Sequence, residues 1–481
     1  MITAFHTSKG SLIELAVLKS HGVGSDFYNS QIITGTKTVL GKEQSKSAPL
    51  WKSACSNGKT YICFSRLALQ NLEQCLKRIT ITHKMCIPKG LDFQVERSQS
   101  FTPTENQVVV LEKLLQIFTE QNAKSNSAKA WVVMNTGTGK SYLGAALIAA
   151  LKKRTIIVVP GMAAEKEWLK SLALLESSEI IIGQYNGKVK KQGSVMIMTK
   201  GSFNKLEYFG IPAKTWFGNF GLIIYDEVHS YCTDGCRDLF YQSFPYSLGL
   251  TATPDENAWG FDGVFQAHLL NKIIAQDLPG FNSEAVIWKG VLHAIHYTSE
   301  AQYTQSITSD SGILQAGEMI KAFCRDPNRI KLLDFLLASV LESDRNAFIF
   351  CAHRETAELL LQHLKTYCCN VLLLIGGAKT QDFENTISAK IIITTYSFGW
   401  QSISVPHMDT LIFYTPQKAK MKQIFGRIAR ISGDASRERV IYDIVDNHSF
   451  TKKQALNRKA RIAELCELKI EPVKKIKFCN L

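Results

Sequence analysis

Long apolar runs are missing from this chain of 481 residues. No stretch reaches the 18 or so uninterrupted apolar residues that a membrane-spanning helix requires, so no membrane partner is expected. The first twenty residues lack a basic segment, an apolar core and a small-residue cleavage site, which argues against secretion. A disulfide framework is missing too. The 12 cysteines are scattered from Cys55 to Cys479 rather than gathered at close spacings. That usage fits reduced thiols in an intracellular protein. His229, Cys232 and Cys236 lie near one another, but no second ligand pair at zinc-finger spacing follows. Ordinary loop and core thiols are expected there. No internal repeat of solenoid period is visible.

The middle of the chain has almost no net charge. Of the formal +14, residues 1–100 hold +7 (13 Lys/Arg against 6 Asp/Glu) and residues 451–481 hold +6 (9 against 3). A basic excess confined to two flanks fits a phosphate-rich partner, and it also fits a solubilising surface. Hydrophobic residues make up 45% and charged residues 20%. That balance is ordinary for a globular protein, and the length points to two or three domains.

The most informative run is Met134-Asn135-Thr136-Gly137-Thr138-Gly139-Lys140-Ser141. It follows the apolar run Ala130–Val133 and precedes the helical pattern Tyr142–Leu147. Strand, glycine loop and helix start, in that order, build a phosphate cradle. Gly137 and Gly139 allow close backbone approach, and the loop amides and helix N-terminus supply partial positive charge. Lys140 can reach the β- and γ-phosphates, and the Ser141 hydroxyl can hold Mg²⁺. The strict pattern has glycine where this chain has Met134.

A second anchor is Leu222-Ile223-Ile224-Tyr225-Asp226-Glu227-Val228-His229. An apolar strand ends there in two carboxylates. Asp226 can hold Mg²⁺ directly or through water, and Glu227 can take a proton from an attacking water. Thr251-Ala252-Thr253-Pro254 follows the next apolar strand and offers two hydroxyls for hydrogen bonds that couple sites. Far downstream, Gln423-Ile424-Phe425-Gly426-Arg427-Ile428-Ala429-Arg430 places two arginines three residues apart, on one face of an expected helix. Guanidinium groups so placed suit the charge that develops in phosphoryl transfer.

Short β-rich runs recur between helical patterns. In the first block they are Thr155–Val159, Ser194–Met198, Leu222–Tyr225 and Ser247–Leu250. In the second they are Ala347–Phe350, Val371–Leu374, Lys390–Ile393, Thr410–Phe413 and Val440–Asp443. Such alternation predicts an α/β fold with parallel sheets covered on both faces. The expected division is a small, basic, mixed domain at 1–100, a first lobe at 101–285, a second lobe with its linker at 286–450, and a basic tail at 451–481.

These blocks, in this order, resemble the superfamily 2 helicases and translocases of the DExH type. The resemblance spans roughly residues 101–447, about seven-tenths of the chain. It implies two RecA-like parallel-sheet lobes in tandem, ATP and Mg²⁺ as cofactors, and nucleic acid as partner. Residue by residue, Lys140 and Ser141 match the Walker A pair, and Asp226 to His229 match the DExH box. Thr251 and Thr253 match motif III, while Gln423, Gly426, Arg427 and Arg430 match motif VI. Gln107 matches the upstream glutamine that contacts adenine. Pro160 with Trp168 resembles motif Ia, on the nucleic-acid face. Cys351 to Arg354 falls where motif IV is expected. Ser402 and Ser404 stand where many members have Gly and Asp in motif V, which bears on coupling rather than on fold.

Local similarities point further, to helicases of large cytoplasmic DNA viruses of the African swine fever virus and poxvirus transcript-release type. They are Asn135-Thr136-Gly137, Asp326-Pro327-Asn328-Arg329-Ile330, His407-Met408 and Ile87-Pro88-Lys89-Gly90. The resemblance implies an ATP-hydrolysing DNA helicase or translocase in viral transcription or repair, DNA being favoured over RNA. It also implies contact with viral transcription machinery, a place in the host cytoplasm and packaging in the virion. An RNA helicase of the DExH type shares the same motifs. A nucleotide-dependent scaffold without turnover is the reading of another class, and the intact Lys140, Asp226, Glu227, Arg427 and Arg430 argue against it.

Overall fold

The structure is a computed structural model. It describes residues 2–480 except 8–9, 40–41, 57–58, 77–80, 87–88, 99–100, 126, 136, 204, 234–235, 243, 255–261, 283–287, 311, 379–380, 383–384, 400–404, 406, 418–420 and 430–435. The chain forms two compact units, Met1–Ser283 and Glu284–Leu481. Among the described residues no helix is long and apolar enough to cross a membrane.

The first unit is built on an eight-stranded sheet. Its order is 190–191, 182–185, 195–199, 155–159, 222–226, 246–251, 128–133 and 271–274. All pairings are parallel except that of the short strand 190–191. Central strands buried on both faces read as unbroken apolar runs, which is why Thr155–Val159 and Leu222–Tyr225 were visible in the sequence. Helices Glu105–Ser125, Lys140–Leu151 and Met162–Leu172 pack on one apolar layer with Val110, Leu114, Leu147 and Leu172. An aromatic layer around Trp131, Tyr208, Trp216 and Tyr225 holds the other face. Cys232 lies within that layer and Cys236 packs against it.

The N-terminal stretch makes a five-stranded sheet in the order 51–56, 59–64, 10–14, 2–7, 81–86, beside the hairpin 32–39/42–49. It belongs to the first unit. Its core takes in Ala267 from helix Asp262–Leu269. Arg66 Nη1 donates to the Ser127 carbonyl at 3.2 Å, and Tyr241 Oη to the Pro49 carbonyl at 3.3 Å.

The second unit carries a parallel sheet in the order 371–374, 391–395, 347–351, 410–413, 439–446, 289–298, 467–470. Strand Lys474–Lys477 also pairs with 289–298. The stretch 451–481, expected as a basic tail, is therefore largely woven into this sheet: helix Ser449–Ala463 and two edge strands. One of its nine basic residues, Arg458, is buried against Asp443 at 2.7 Å. Two tandem RecA-like lobes, with mixed α/β architecture and parallel sheets, are thus present.

Arg329 is another buried cation of this unit. It pairs with Asp446, donates from Nε to the Tyr414 carbonyl at 3.1 Å, and lies 5.1 Å from the Tyr414 ring. Three residues earlier, Asp326 caps helix Pro327–Leu341 through Asn328 N at 2.9 Å and accepts from Tyr297 Oη at 2.5 Å. The Asp326–Ile330 motif is thus a structural staple that fastens this helix to the sheet. Arg329→Met leaves Asp446 buried and unpaired, and should lower the urea-denaturation stability of the second unit by about 3–5 kcal/mol. Arg329→Met/Asp446→Leu should recover most of that loss.

Candidate nucleotide site

Strand Ala128–Val133 delivers the glycine loop, and helix Lys140–Leu151 starts immediately after it. Gly137 and Gly139 have φ of 79° and 82°, a left-handed conformation that side chains other than glycine adopt at a penalty. A Cβ on Gly139 would also sit 2.2 Å from Gln107 Nε2. Met134, the departure from the strict pattern, is fully buried in the core, and its amide donates to the Thr251 carbonyl at 3.0 Å. It has no positive φ, so no glycine is needed there. Thr136 lies outside the described residues.

Lys140 Nζ points back into the loop, 3.4 Å from the carbonyls of both Met134 and Asn135. Charge-assisted bonds to phosphate run shorter, near 2.8 Å, so an anion held by the loop would be the better acceptor. Thr138 Oγ1 closes the loop on the Asn135 carbonyl at 2.8 Å. Gln107 is buried. Its Oε1 accepts from Thr104 N at 3.0 Å, and its Nε2 donates to the Thr138 and Gly139 carbonyls at 3.3 and 3.4 Å. The expected adenine contact is thus seated against the loop itself. Ser141 stands in the first turn of the helix.

Asp226 ends its strand buried at 8% exposure. Burial first, and then the Glu227 carboxylate, push its carboxyl up to about 7, while Trp168 and Lys140 hold it down. Glu227 adopts φ 49°, ψ 55°, a strained conformation for a residue with a side chain. Its Oε2 lies 3.5 Å from His229 Nδ1. His229 shares a 2.8 Å hydrogen bond with Thr251 Oγ1, which also accepts from Thr253 N at 3.1 Å. His229 and the Thr251–Thr253 pair are therefore joined through one hydroxyl.

Lys140, Asp226, Glu227, His229, Thr251 and Thr253 are brought to one end of the first sheet. Gln423 and Arg427 belong to the second unit, both buried. The helix expected to carry both arginines ends before them: regular helix covers Met421–Phe425, and hydrogen-bonded turns continue to Ala429. Arg427 follows the helix rather than lying on its face, because Ile424, Phe425 and Ile428 are drawn into the core below. Arg430, Ser402 and Ser404 lie outside the described residues.

Trp168 was expected on a nucleic-acid face, but it is wholly buried, with Nε1 donating to Asp226 Oδ2 at 3.0 Å. Tyr231 was not read from sequence at all. Its Oη lies 2.7 Å from the Asp226 carbonyl and 2.8 Å from that of Val158, so it ties the acidic strand to its neighbour.

The residues present fit a nucleotide with a divalent cation. The loop offers a glycine cradle and an amine on weak acceptors, and the buried Asp226 carboxylate lacks an ion pair among the described residues. A folded-state pKa near 7, against 3.8 normally, means that ionising Asp226 works against folding. Asp226→Asn should therefore stabilise the ligand-free protein above pH 7 and have little effect below pH 4, as thermal melts across pH will show.

Residues 100–256 match a family model described as the type III restriction enzyme, res subunit. A protein of African swine fever virus that carries the name of an ATP-dependent RNA helicase, QP509L, is 27% identical over 348 residues. That match takes in 68% of this chain, and the chain spans 66%, just under two thirds, of that relative's length. The DNA 3'-5' helicase XPB of Mycobacterium tuberculosis is 35% identical over 131 residues, 25% of this chain and 23% of that one. Among solved structures, S. cerevisiae Dbp5 bound to RNA and ADP BeF3 aligns with a TM-score of 0.49 at 13% identity, covering 79% of this chain and 94% of that one. Residues 100–256 thus match the res-subunit family model, and about two thirds of the chain is similar, at 27% identity, to a viral protein that bears a helicase's name.

Proposed function

We propose that this chain is an ATP-dependent nucleic-acid motor, a helicase or translocase acting on DNA in viral transcription or repair. One observation carries the reading. The glycine loop and the Asp226–Glu227 pair end at the same level of one parallel sheet, and the charges of Lys140 and Glu227 both act on the Asp226 carboxyl.

Lys140 and the loop amides bind the phosphates. Ser141 and Asp226 are the residues to hold Mg²⁺, which when bound screens phosphate charge. Glu227 orients a water and takes its proton, and the strained backbone at that residue fixes its direction. Arg427 and Arg430 stabilise charge developing on the transferred phosphoryl group. His229, Thr251, Thr253 and Gln423 couple the nucleotide state to the nucleic-acid track, and Gln107 recognises the base.

A second reading, RNA as the track, has one observation in its favour: the viral relative bears an RNA helicase's name. ATPase assays with single- and double-stranded DNA and RNA separate the two. Greater stimulation by DNA supports the first reading, and greater stimulation by RNA supports the second. No stimulation by either overturns both. Lys140→Ala and Glu227→Gln should each lower turnover about 100-fold or more, and Glu227→Gln should still bind nucleotide. Exposed lysines Lys474, Lys475 and Lys477 on the edge strand add a phosphate grip in this proposal. Deleting the segment would strip the sheet edge, so charge reversal is the cleaner test. Lys475→Glu/Lys477→Glu should weaken binding and flatten its salt dependence by a slope of about 1–2, without altering unstimulated ATPase.

A further inference from the structure

A buried carboxylate at a nucleotide site normally finds a cation or several amides. Asp226 has one amide, that of Glu227, and an indole. Trp168, on helix Met162–Leu172, reaches across 58 positions of sequence to place Nε1 3.0 Å from Asp226 Oδ2. The far edge of the same ring lies against helix Lys140–Leu151. A Cβ on Gly144 would sit 2.4 Å from Trp168 Cη2 and 2.9 Å from Cζ3. One rigid side chain thus touches both the helix that follows the phosphate loop and the acid that ends strand Leu222–Asp226.

The pairing is not simply the satisfaction of a buried donor. Among the described residues, the buried Nε1 groups of Trp131 and Trp216 have no hydrogen-bond partner. An indole N–H is a donor only, and on a carboxylate it makes a charge-assisted bond that occupies one oxygen and orients the other.

We propose that Trp168 is a positioning residue: it fixes the Asp226 carboxylate at a set distance from the phosphate-loop helix, so that Asp226 meets a divalent cation in one geometry. The assignment rests on the nucleotide-site reading above. It makes Gly144 a spacer, since any side chain there would push the ring off its line to Asp226.

The test is Trp168→Phe in the full chain, which keeps the ring packing and removes the donor. Binding of a fluorescent ATP analogue is measured with and without Mg²⁺, beside kcat and KM for ATP. Without Mg²⁺ the variant should bind as the wild type does. The concentration of Mg²⁺ needed to tighten binding should rise about 10- to 100-fold, and kcat should fall with KM for ATP nearly unchanged at saturating Mg²⁺. An unaltered Mg²⁺ requirement overturns the assignment. If Trp168→Phe does not fold, the same titration on Gly144→Ala, which retains both partners and displaces the ring, decides in the same way. Wild-type protein that binds Mg²⁺-nucleotide but shows no stimulated turnover would defeat the motor reading and leave this assignment standing.

Discussion

The nucleotide end of the first unit depends on parallel register. Leu250 stands opposite both Val132 and Asp226, and Thr251 opposite Val133. The glycine loop, the acidic pair and the Thr251–Thr253 turn therefore leave the sheet at one level. A slip of one residue would turn Asp226 to the other face and carry Thr251 away from the loop. The central strands are apolar on both faces, so alternation cannot set this register. Close packing does. A side chain at Gly249 would come within 2.7 Å of Leu269 Cδ1 and 3.1 Å of Trp131 Cβ. The Met134 amide extends the ladder by one more bond to Thr251. That contact also explains why methionine is tolerated there: the residue still belongs to the sheet, and its side chain fills the core.

The two units treat buried acids differently. In the second, Asp446 and Asp443 are matched by Arg329 and Arg458, so the charges are neutralised where they lie. In the first, Asp226 is denied an arginine and kept beside a second carboxylate. The paired arrangement neutralises charge in place, and the unpaired one has a different effect. The second keeps an acid in unfavourable surroundings that a bound cation would relieve, the usual mark of a site built for a ligand rather than for stability.

Much of this was legible in the sequence, for local reasons. Thr155–Val159, Val371–Leu374 and Thr410–Phe413 are strands with the bounds their apolar runs suggested. The strand Ile182–Tyr185 was not, since its Gly and Gln break the apolar pattern. The N-terminal sheet could be sensed but not named, because short runs separated by Gly, Ser and Lys do not specify pairing. At the site, the loop and the carboxylates were readable because their spacing is local. Trp168 was misplaced because its partner lies on another strand. Gly144, set within a largely apolar helix, was the available hint of a close approach. The Asp326–Arg329 similarity was seen in the sequence and explained only by Tyr297, Tyr414 and Asp446, all distant in the chain.

The strand Lys289–Thr298 is the first of its sheet to be synthesised, yet its neighbours are 439–446 on one side and 467–477 on the other. As the ribosome works through the intervening residues, this strand waits with both hydrogen-bonding edges bare. Its completion is a late, non-local event of the kind that slows folding and invites capture by chaperones or by like strands. The first unit's loop strand faces a shorter wait, from Ala128 to Ile274. The half of the chain that holds the phosphate loop can therefore be native while the half that holds Arg427 is still being made.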